Sequence, residues 1–261
     1  MAGRTDDQQA RDEDARAFID EDVARAYRQR PPYPDALFEE LSRTVRGSRA
    51  VLDLGCGTGD LCRRLAPYVE RIDAVDVSAP MIAAGRQAPG GSSPKISWHC
   101  APAESFAYSG PYGLAMAGES LHWMELAVVL PKVAASLAPE SSFGLVSREE
   151  AAPWGDDFAR IIPGFSAAKA YRRRDLVEEI ESAGLGRCER TVVFGPERFT
   201  QTLDEYVELQ HSRGAFALRR MGTKRALEFD HALRDILNGY AVDGNVAYDF
   251  SATVRFFHLR G

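Results

Sequence analysis

The stretch Val51-Leu-Asp-Leu-Gly-Cys-Gly-Thr-Gly-Asp60, VLDLGCGTGD, decides the fold. Ala50–Leu54 reads as a short buried strand, and the glycines at 55, 57 and 59 as a tight turn into a helix from about Gly59 to Val69. Such a turn lets a ligand approach the backbone closely. Arg71–Asp76 reads as a second strand. Asp76 lies 21 residues beyond Gly55, where a carboxylate accepts hydrogen bonds from ribose hydroxyls. A glycine turn alone is a common structural device; with an acid at that distance it predicts nucleotide-type binding.

Strand and helix patterns alternate outward from this loop. A helix spans Ala79 to Gln87, and strands span Lys95–Cys100, Tyr112–Ala117 and Ser142–Ser147, with a helix at Met124–Ala138 between the last two. This alternation implies a mostly parallel sheet covered on both faces. Upstream, Ala15, Ile19, Val23 and Tyr27 recur every four residues and predict a helix from Asp14. Pro31, Pro32 and Pro34 break it, and Asp35 is placed to cap a helix through about Val45. Beyond Arg148 the rhythm changes. Glu149–Ala170 reads as irregular, followed by a helix over 174–183, a sixth strand at Arg190–Phe194, helices at 203–213 and 223–240, and a last strand at Val246–Leu259. Residues 1–13 are polar and expected to be disordered; 14–261 form one domain, with cap elements at 14–34, 149–172 and 199–242.

The totals exclude several classes. Of 261 residues, 45% are hydrophobic and 27% charged, as in globular proteins, and the net charge of −6 argues against a broad nucleic-acid footprint. The triplet Arg172–Arg174 reads as a solvated helix start. No apolar run approaches the ~20 residues of a membrane helix, and the N-terminus lacks the apolar core of a signal peptide. Cys56, Cys62, Cys100 and Cys188 form no CxxC pair and no zinc spacing, so no metal is expected and a reduced cytoplasmic protein fits best.

A dinucleotide fingerprint requires a third glycine at position 60, where this chain has Asp60. A carboxylate at a helix N-terminus suits the dipole but repels a pyrophosphate on the same amides. A ligand with ribose and adenine but no phosphate fits better, and S-adenosylmethionine is one. Here the sequence resembles the class I S-adenosylmethionine-dependent methyltransferases. VLDLGCGTG is similar to the family's first motif, AVDVSAPMI to the segment carrying the ribose-binding acid, and APAESFAY (101–108) to the segment that contacts adenine. SLHWME with LPKVAASLAP, and YRQRPPYP upstream, resemble the subgroup of trans-aconitate methyltransferase and the type 11 enzymes. LAPESSF departs from the Pro-Gly-Gly usual in that turn and should alter only a loop.

The resemblance implies a Rossmann-like α/β fold with a seven-stranded, mostly parallel sheet, a last strand running antiparallel, and an inserted helical cap. It also implies roles. Asp53, with the backbone of Gly55, Cys56, Gly57 and Gly59, faces the methionine part of the cofactor. Asp76 binds the ribose, Val77 and Met81 pack near the adenine, and Ala103 and Glu104 read its edge. Glu119 lies near the methionyl end, with His122 and Trp123 at the mouth of the transfer site. Tyr27, Arg30 and Tyr33 close over cofactor or substrate. Each has a plainer reading as core, apolar stripe or surface ion pair.

A sulfonium methyl is already electrophilic, so transfer needs an acceptor held in line and shielded from water. Cations such as Arg30, Arg213, Arg219 or Arg220 would orient an acceptor carboxylate. A hydroxyl or ring nitrogen needs a base, and His122 and His211 are the candidates, each also readable as a positioning histidine. Trp154, Phe165, Tyr171, Tyr206 and Phe216 would line an apolar pocket or a small core. The expected protein is a monomeric or homodimeric methyltransferase acting on O or N of a small molecule in specialised metabolism. A nicotinamide dehydrogenase, a non-catalytic cofactor-binding scaffold, and a tRNA or protein methyltransferase are the rivals.

Overall fold

Ala50–Leu54 forms β1 because the segment can bury every residue and Val and Leu suit a pleated strand. The computed structural model describes residues 16–168 and 174–260. The stretch 1–13, and Tyr171, Arg172 and Arg173, lie outside the described residues. Six further strands follow: β2 (Arg71–Asp76), β3 (Ile96–Cys100), β4 (Tyr112–Gly118), β5 (Leu137–Ala151), β6 (Gly186–Thr202) and β7 (Asn245–Leu259). They make one mixed sheet in the order β3-β2-β1-β4-β5-β7-β6. β1 pairs in parallel with β2 on one side and β4 on the other, Leu52 lying opposite both Asp73 and Ala115. The chain thus reverses its direction of winding beside β1, and ligands of open α/β sheets bind at the carboxyl ends of such strands.

The helices are α1 (Glu21–Ala26), α2 (Asp35–Thr44), α3 (Cys62–Leu65), α4 (Ala79–Gln87), α5 (Leu126–Ser136), α6 (Gly155–Phe165), α7 (Leu176–Ser182), α8 (Leu203–Gln210), α9 (Leu218–Met221) and α10 (Thr223–Asn238). α5 buries Leu126, Val129, Leu130 and Val133 in a cluster with Leu52 and Leu54 of β1, Ala115 and Ala117 of β4, and Phe143 and Leu145 of β5. Each such buried side chain contributes roughly 1.5–3 kcal/mol. Strand alternation turns Val51 and Asp53 to the opposite face.

Two compact units divide the chain. One comprises Pro32–Glu149, Arg173–Gly195 and Ser251–Gly261; it holds β1–β4 and the glycine loop. The other comprises residues 1–31, Glu150–Arg172 and Pro196–Phe250. Its core is aromatic: Phe216 stacks on Phe229 at 4.7 Å and 11°, while Trp154 meets Tyr206 edge-on at 5.0 Å. The unit boundaries fall inside β5, β6 and β7.

Several elements differ from expectation. The single helix expected from Asp14 is, over its described part, a 3-10 turn (Arg16–Ile19), then α1, then a second 3-10 turn (Tyr27–Gln29), because Asp20 is extended and interrupts the ladder. Pro34, not Asp35, is the N-cap of α2; the Asp35 carboxylate pairs instead with Arg64. The helix after the glycine loop is only one turn of α3, passing at Pro67 into a 3-10 turn, Ala66–Tyr68. The stretch 149–170 was expected to be irregular but contains α6, where Phe158, Ile161, Ile162 and Phe165 supply an apolar stripe despite Pro163. β6 runs to 17 residues, most of them exposed, as befits the last strand of the sheet.

Candidate functional site

The glycine loop leaves β1 with left-handed backbone at three positions, φ being 63° at Gly55, 54° at Gly57 and 79° at Gly59. Protein contacts alone demand glycine at two of them. A Cβ on Gly55 would lie 2.3 Å from Ser120 Cβ, and one on Gly59 2.4 Å from the Trp98 ring. Ser120 is fixed there because its hydroxyl donates to the Leu54 carbonyl at 2.6 Å, joining the ends of β1 and β4.

Asp76, at the end of β2, accepts from the Gly57 amide at 2.8 Å and from the Ser78 amide at 2.8 Å. The acid thereby ties the loop to β2 and has its lone pairs aligned. Burial raises its pKa despite the two amides. Ser78 then caps α4 by accepting from the Met81 amide at 3.2 Å. Val77 is 50% exposed and offers an apolar flank beside Asp76, whereas Met81 is wholly buried and belongs to the core. Ala103 is buried. Glu104 uses one oxygen to accept from the Glu125 amide at 3.0 Å, ahead of α5.

Asp53 has the most distinctive environment. It is 1% exposed, and among the described residues neither carboxylate oxygen meets a donor at full hydrogen-bond geometry. Burial raises its pKa to about 7; weak hydrogen bonding from the Cys62 thiol and amide lowers it, while Asp76 and Asp60 add to the rise. Cys56 and Cys62 are buried thiols pushed well above their ordinary value by burial. A buried carboxyl met only weakly by a thiol and an amide calls for a cationic or hydrogen-bonding ligand group. With the Asp76 acid and the apolar Val77 alongside, the donor set fits an aminoacyl nucleoside.

Asp60 corrects one step of the sequence argument. The carboxylate at the helix N-terminus was expected to repel a pyrophosphate. Instead its carboxylate is held by Arg63 at 2.9 Å, Arg148 at 3.1 Å and the Thr58 hydroxyl at 3.2 Å. Burial alone would raise its pKa, but Arg148 and Arg63 more than offset that and hold it low. The charge is therefore compensated within the loop.

At the end of β4, Glu119 adopts φ 53° and accepts from the Arg148 amide at 2.6 Å. Tyr33 is buried under the Arg148 guanidinium, whose Cζ lies 3.8 Å from the ring centroid, and burial pushes the phenol up to about 12. His122 and Trp123 sit in a 3-10 turn, Leu121–Trp123, with ring centroids 4.4 Å apart. Burial, and then the nearby Arg174, lower the His122 pKa to about 4. Arg174 donates to the His122 carbonyl at 3.0 Å and to Glu179. His122 is thus neutral across the physiological range.

The remaining candidates belong to the second unit. Both ring nitrogens of His211 are engaged, Nδ1 at 2.7 Å from the Phe216 carbonyl and Nε2 at 2.8 Å from Asp230. Burial disfavours the charged ring, but Asp230 and the Phe216 carbonyl outweigh it and raise the pKa. With both nitrogens engaged, the ring ties the end of α8 to α10 and presents neither nitrogen to a substrate proton, which counts against His211 as a base. Arg30 lies 3.9 Å over the Tyr27 ring and donates to the Ser212 hydroxyl and carbonyl. Arg213 pairs with Glu150 at 2.7 Å, and Trp154 is fully buried in the aromatic core. These three side chains hold their own unit together. Among the described residues, no group of three or more His, Cys, Asp or Glu is placed to hold a metal ion, and no helix is long and apolar enough to cross a membrane.

Sequence reasoning missed Arg148 and Ser120. Arg148 was read as a boundary, although Asp60 in place of a glycine was itself a sign that the loop needs a cation.

The sheet order, the glycine loop and the acid ending β2 form the arrangement with which open α/β sheets bind nucleotide-like ligands. Residues 51–140 match the family model described as a methyltransferase domain. CRG1 of Saccharomyces cerevisiae, assigned as an S-adenosylmethionine-dependent methyltransferase, is 28% identical over 119 residues, covering 44% of this chain and 41% of CRG1. The chain spans about half the length of the curated relatives it matches. Its fold is similar to that of a protein from Anaeromyxobacter dehalogenans assigned as a type II methyltransferase, with TM-score 0.61, 20% identity, and coverage of 87% of this chain and 96% of that one. It is also similar to a methyltransferase from Thiobacillus denitrificans, solved with S-adenosylhomocysteine, with TM-score 0.52, 13% identity, and coverage of 91% and 97%.

Proposed function

We propose that this chain binds S-adenosylmethionine at the carboxyl ends of β1 and β2 and transfers its methyl group to an oxygen or nitrogen of a small molecule. The observation that carries the reading is Asp53, a fully buried carboxyl with no donor at full hydrogen-bond geometry, beside a glycine loop that Asp76 ties to β2. Asp53 would meet the ammonium, Asp76 the ribose hydroxyls, and Val77 and Ala103 the adenine. The bound cofactor supplies an electrophilic methyl, so the protein has to orient the acceptor and exclude water. A neutral His122 beside Trp123 does this as a hydrogen-bonding wall; an imidazole with pKa about 4 is too weak a base to take a hydroxyl proton efficiently. Acceptor selection falls to the cap elements expected at 14–34, 149–172 and 199–242, which include, among the described residues, Tyr27, Arg30, Trp154 and Arg213. The YRQRPPYP element supports placing the chain near the type 11 and trans-aconitate-like enzymes.

Calorimetric titration tests the reading. S-adenosylhomocysteine should bind, NADH should not, and Asp76→Ala should weaken binding about 10- to 100-fold, as expected for lost charge-assisted hydrogen bonds. Binding of NADH alone would overturn the assignment. Incubating a cell extract with methyl-labelled cofactor tests the acceptor class: label should enter small metabolites, and label confined to tRNA or protein would refute that part. His122→Ala should slow turnover more than it weakens S-adenosylhomocysteine binding.

A further inference from the structure

The cofactor loop of this protein is anchored by one side chain from β5. Arg148 is 10% exposed at the side chain and gathers three other segments. Its guanidinium donates to Asp60 of the glycine loop at 3.1 Å. The same group lies flat on Tyr33, 3.8 Å from the ring centroid, in the segment that leads into α2. Its backbone amide donates to Glu119 at 2.6 Å, where the chain leaving β4 takes a left-handed turn unusual for a glutamate. A Cβ on the preceding Gly118 would lie 3.2 Å from the Tyr33 hydroxyl, so ring and turn are already in close approach. Asp60 in turn binds Arg63, which donates through Nε to the Thr58 carbonyl at 2.9 Å, closing the network back on the loop.

Resting on the cofactor reading above, we propose that the Arg148 side chain is a positioning group that sets the glycine loop for the methionyl end of the cofactor, acting through Asp60 and the Tyr33 ring rather than by touching the ligand. Arginine suits this role because one planar group donates to a carboxylate edge-on while stacking on an aromatic face. Lysine keeps the charge but loses the stack. Asp60 is then the loop's handle, which explains an acid where dinucleotide-binding loops carry glycine.

The test is S-adenosylhomocysteine affinity, with melting temperature read in parallel, for wild type, Arg148→Gln, Arg148→Lys, Asp60→Asn and the Arg148→Gln/Asp60→Asn double variant. The single neutral variants should weaken binding about tenfold. The double variant should be no weaker than Arg148→Gln alone, because both changes break one contact. Arg148→Lys should recover part of the loss. If Arg148→Gln does not fold, Asp60→Asn and Arg148→Lys carry the comparison. Unchanged affinity in these variants, even with a lowered melting temperature, shows a merely structural ion pair and overturns the proposal. Losses that add fully in the double variant also overturn it. A wild type that fails to bind S-adenosylhomocysteine overturns the cofactor reading and this proposal together.

Discussion

A carboxyl buried without a well-placed donor is a stored demand, and Asp53 makes that demand pH-dependent. Its pKa of about 7 lies above the ordinary carboxylate value, so the folded apoprotein holds a proton there that the unfolded chain releases near pH 4. Between those values the native state binds more protons than the unfolded state, so this group lowers stability as pH rises from about 4 through about 7. An ammonium ligand reverses the preference by favouring the ionised form. S-adenosylhomocysteine should therefore bind progressively tighter from pH 5.5 to about 7.5 and then level off, and Asp53→Asn should flatten that rise. Titrations at four pH values read it directly; an equal rise in the variant would reassign the proton. At this scale the sequence was informative about backbone-determined roles. The glycine turn and the place of Asp76 at a strand end follow from a strand, a tight turn and their spacing, whereas a role for Asp53 came only from the family resemblance. Glu104, Arg30, Arg213 and His211 did not, because whether a polar side chain is free or already spent on a neighbour depends on contacts distant in sequence.

Elements were legible where the hydrophobic period was strong. β1, β2, α4 and α5 lie within a residue or two of expectation, since both faces or one full stripe of each is buried. β6 and α6 were obscured for opposite reasons. Most side chains of β6 are exposed, so no alternation marks its ends. α6 has a clear stripe, but Trp154-Gly155 and Pro163 look like loop punctuation. Local capping chemistry predicts what holds α8. Thr202 accepts from the Glu205 amide at 3.2 Å, and Glu205 accepts from the Thr202 amide at 2.8 Å. Thr202→Ala should cost about 1 kcal/mol by chemical denaturation. A change within error would mean that packing of Tyr206, Val207 and Leu209 alone sets the helix.

For the whole molecule, the division into two units does not coincide with linkers. The boundaries at 149/150, 195/196 and 250/251 interrupt β5, β6 and β7. Melting either unit would release strand residues continuous with the other, so calorimetry should show one unfolding transition. Phe229→Ala in the aromatic core and Leu52→Ala in β1 remove side chains that are wholly buried in different units. Each should lower that same transition, at a cost of about 2–5 kcal/mol. Two separated peaks, with each substitution moving one, would show the units to be energetically independent. The sequence reading placed cap elements within a single domain over 14–261, and nothing in a linear pattern marks where one strand passes from one core to another.

The thiols are unevenly placed, and that has a practical use. Cys56 and Cys62 are buried beside Asp53, Cys188 is half-exposed, and Cys100 is exposed with its sulfur donating to the Val77 carbonyl at 3.6 Å. With Cys188 replaced by serine, an environment-sensitive dye coupled to Cys100 would sit beside the adenine flank proposed at Val77. Cofactor occupancy then becomes an optical signal carried by a native attachment point, suited to screening acceptors whose identity the chemistry of transfer alone leaves open.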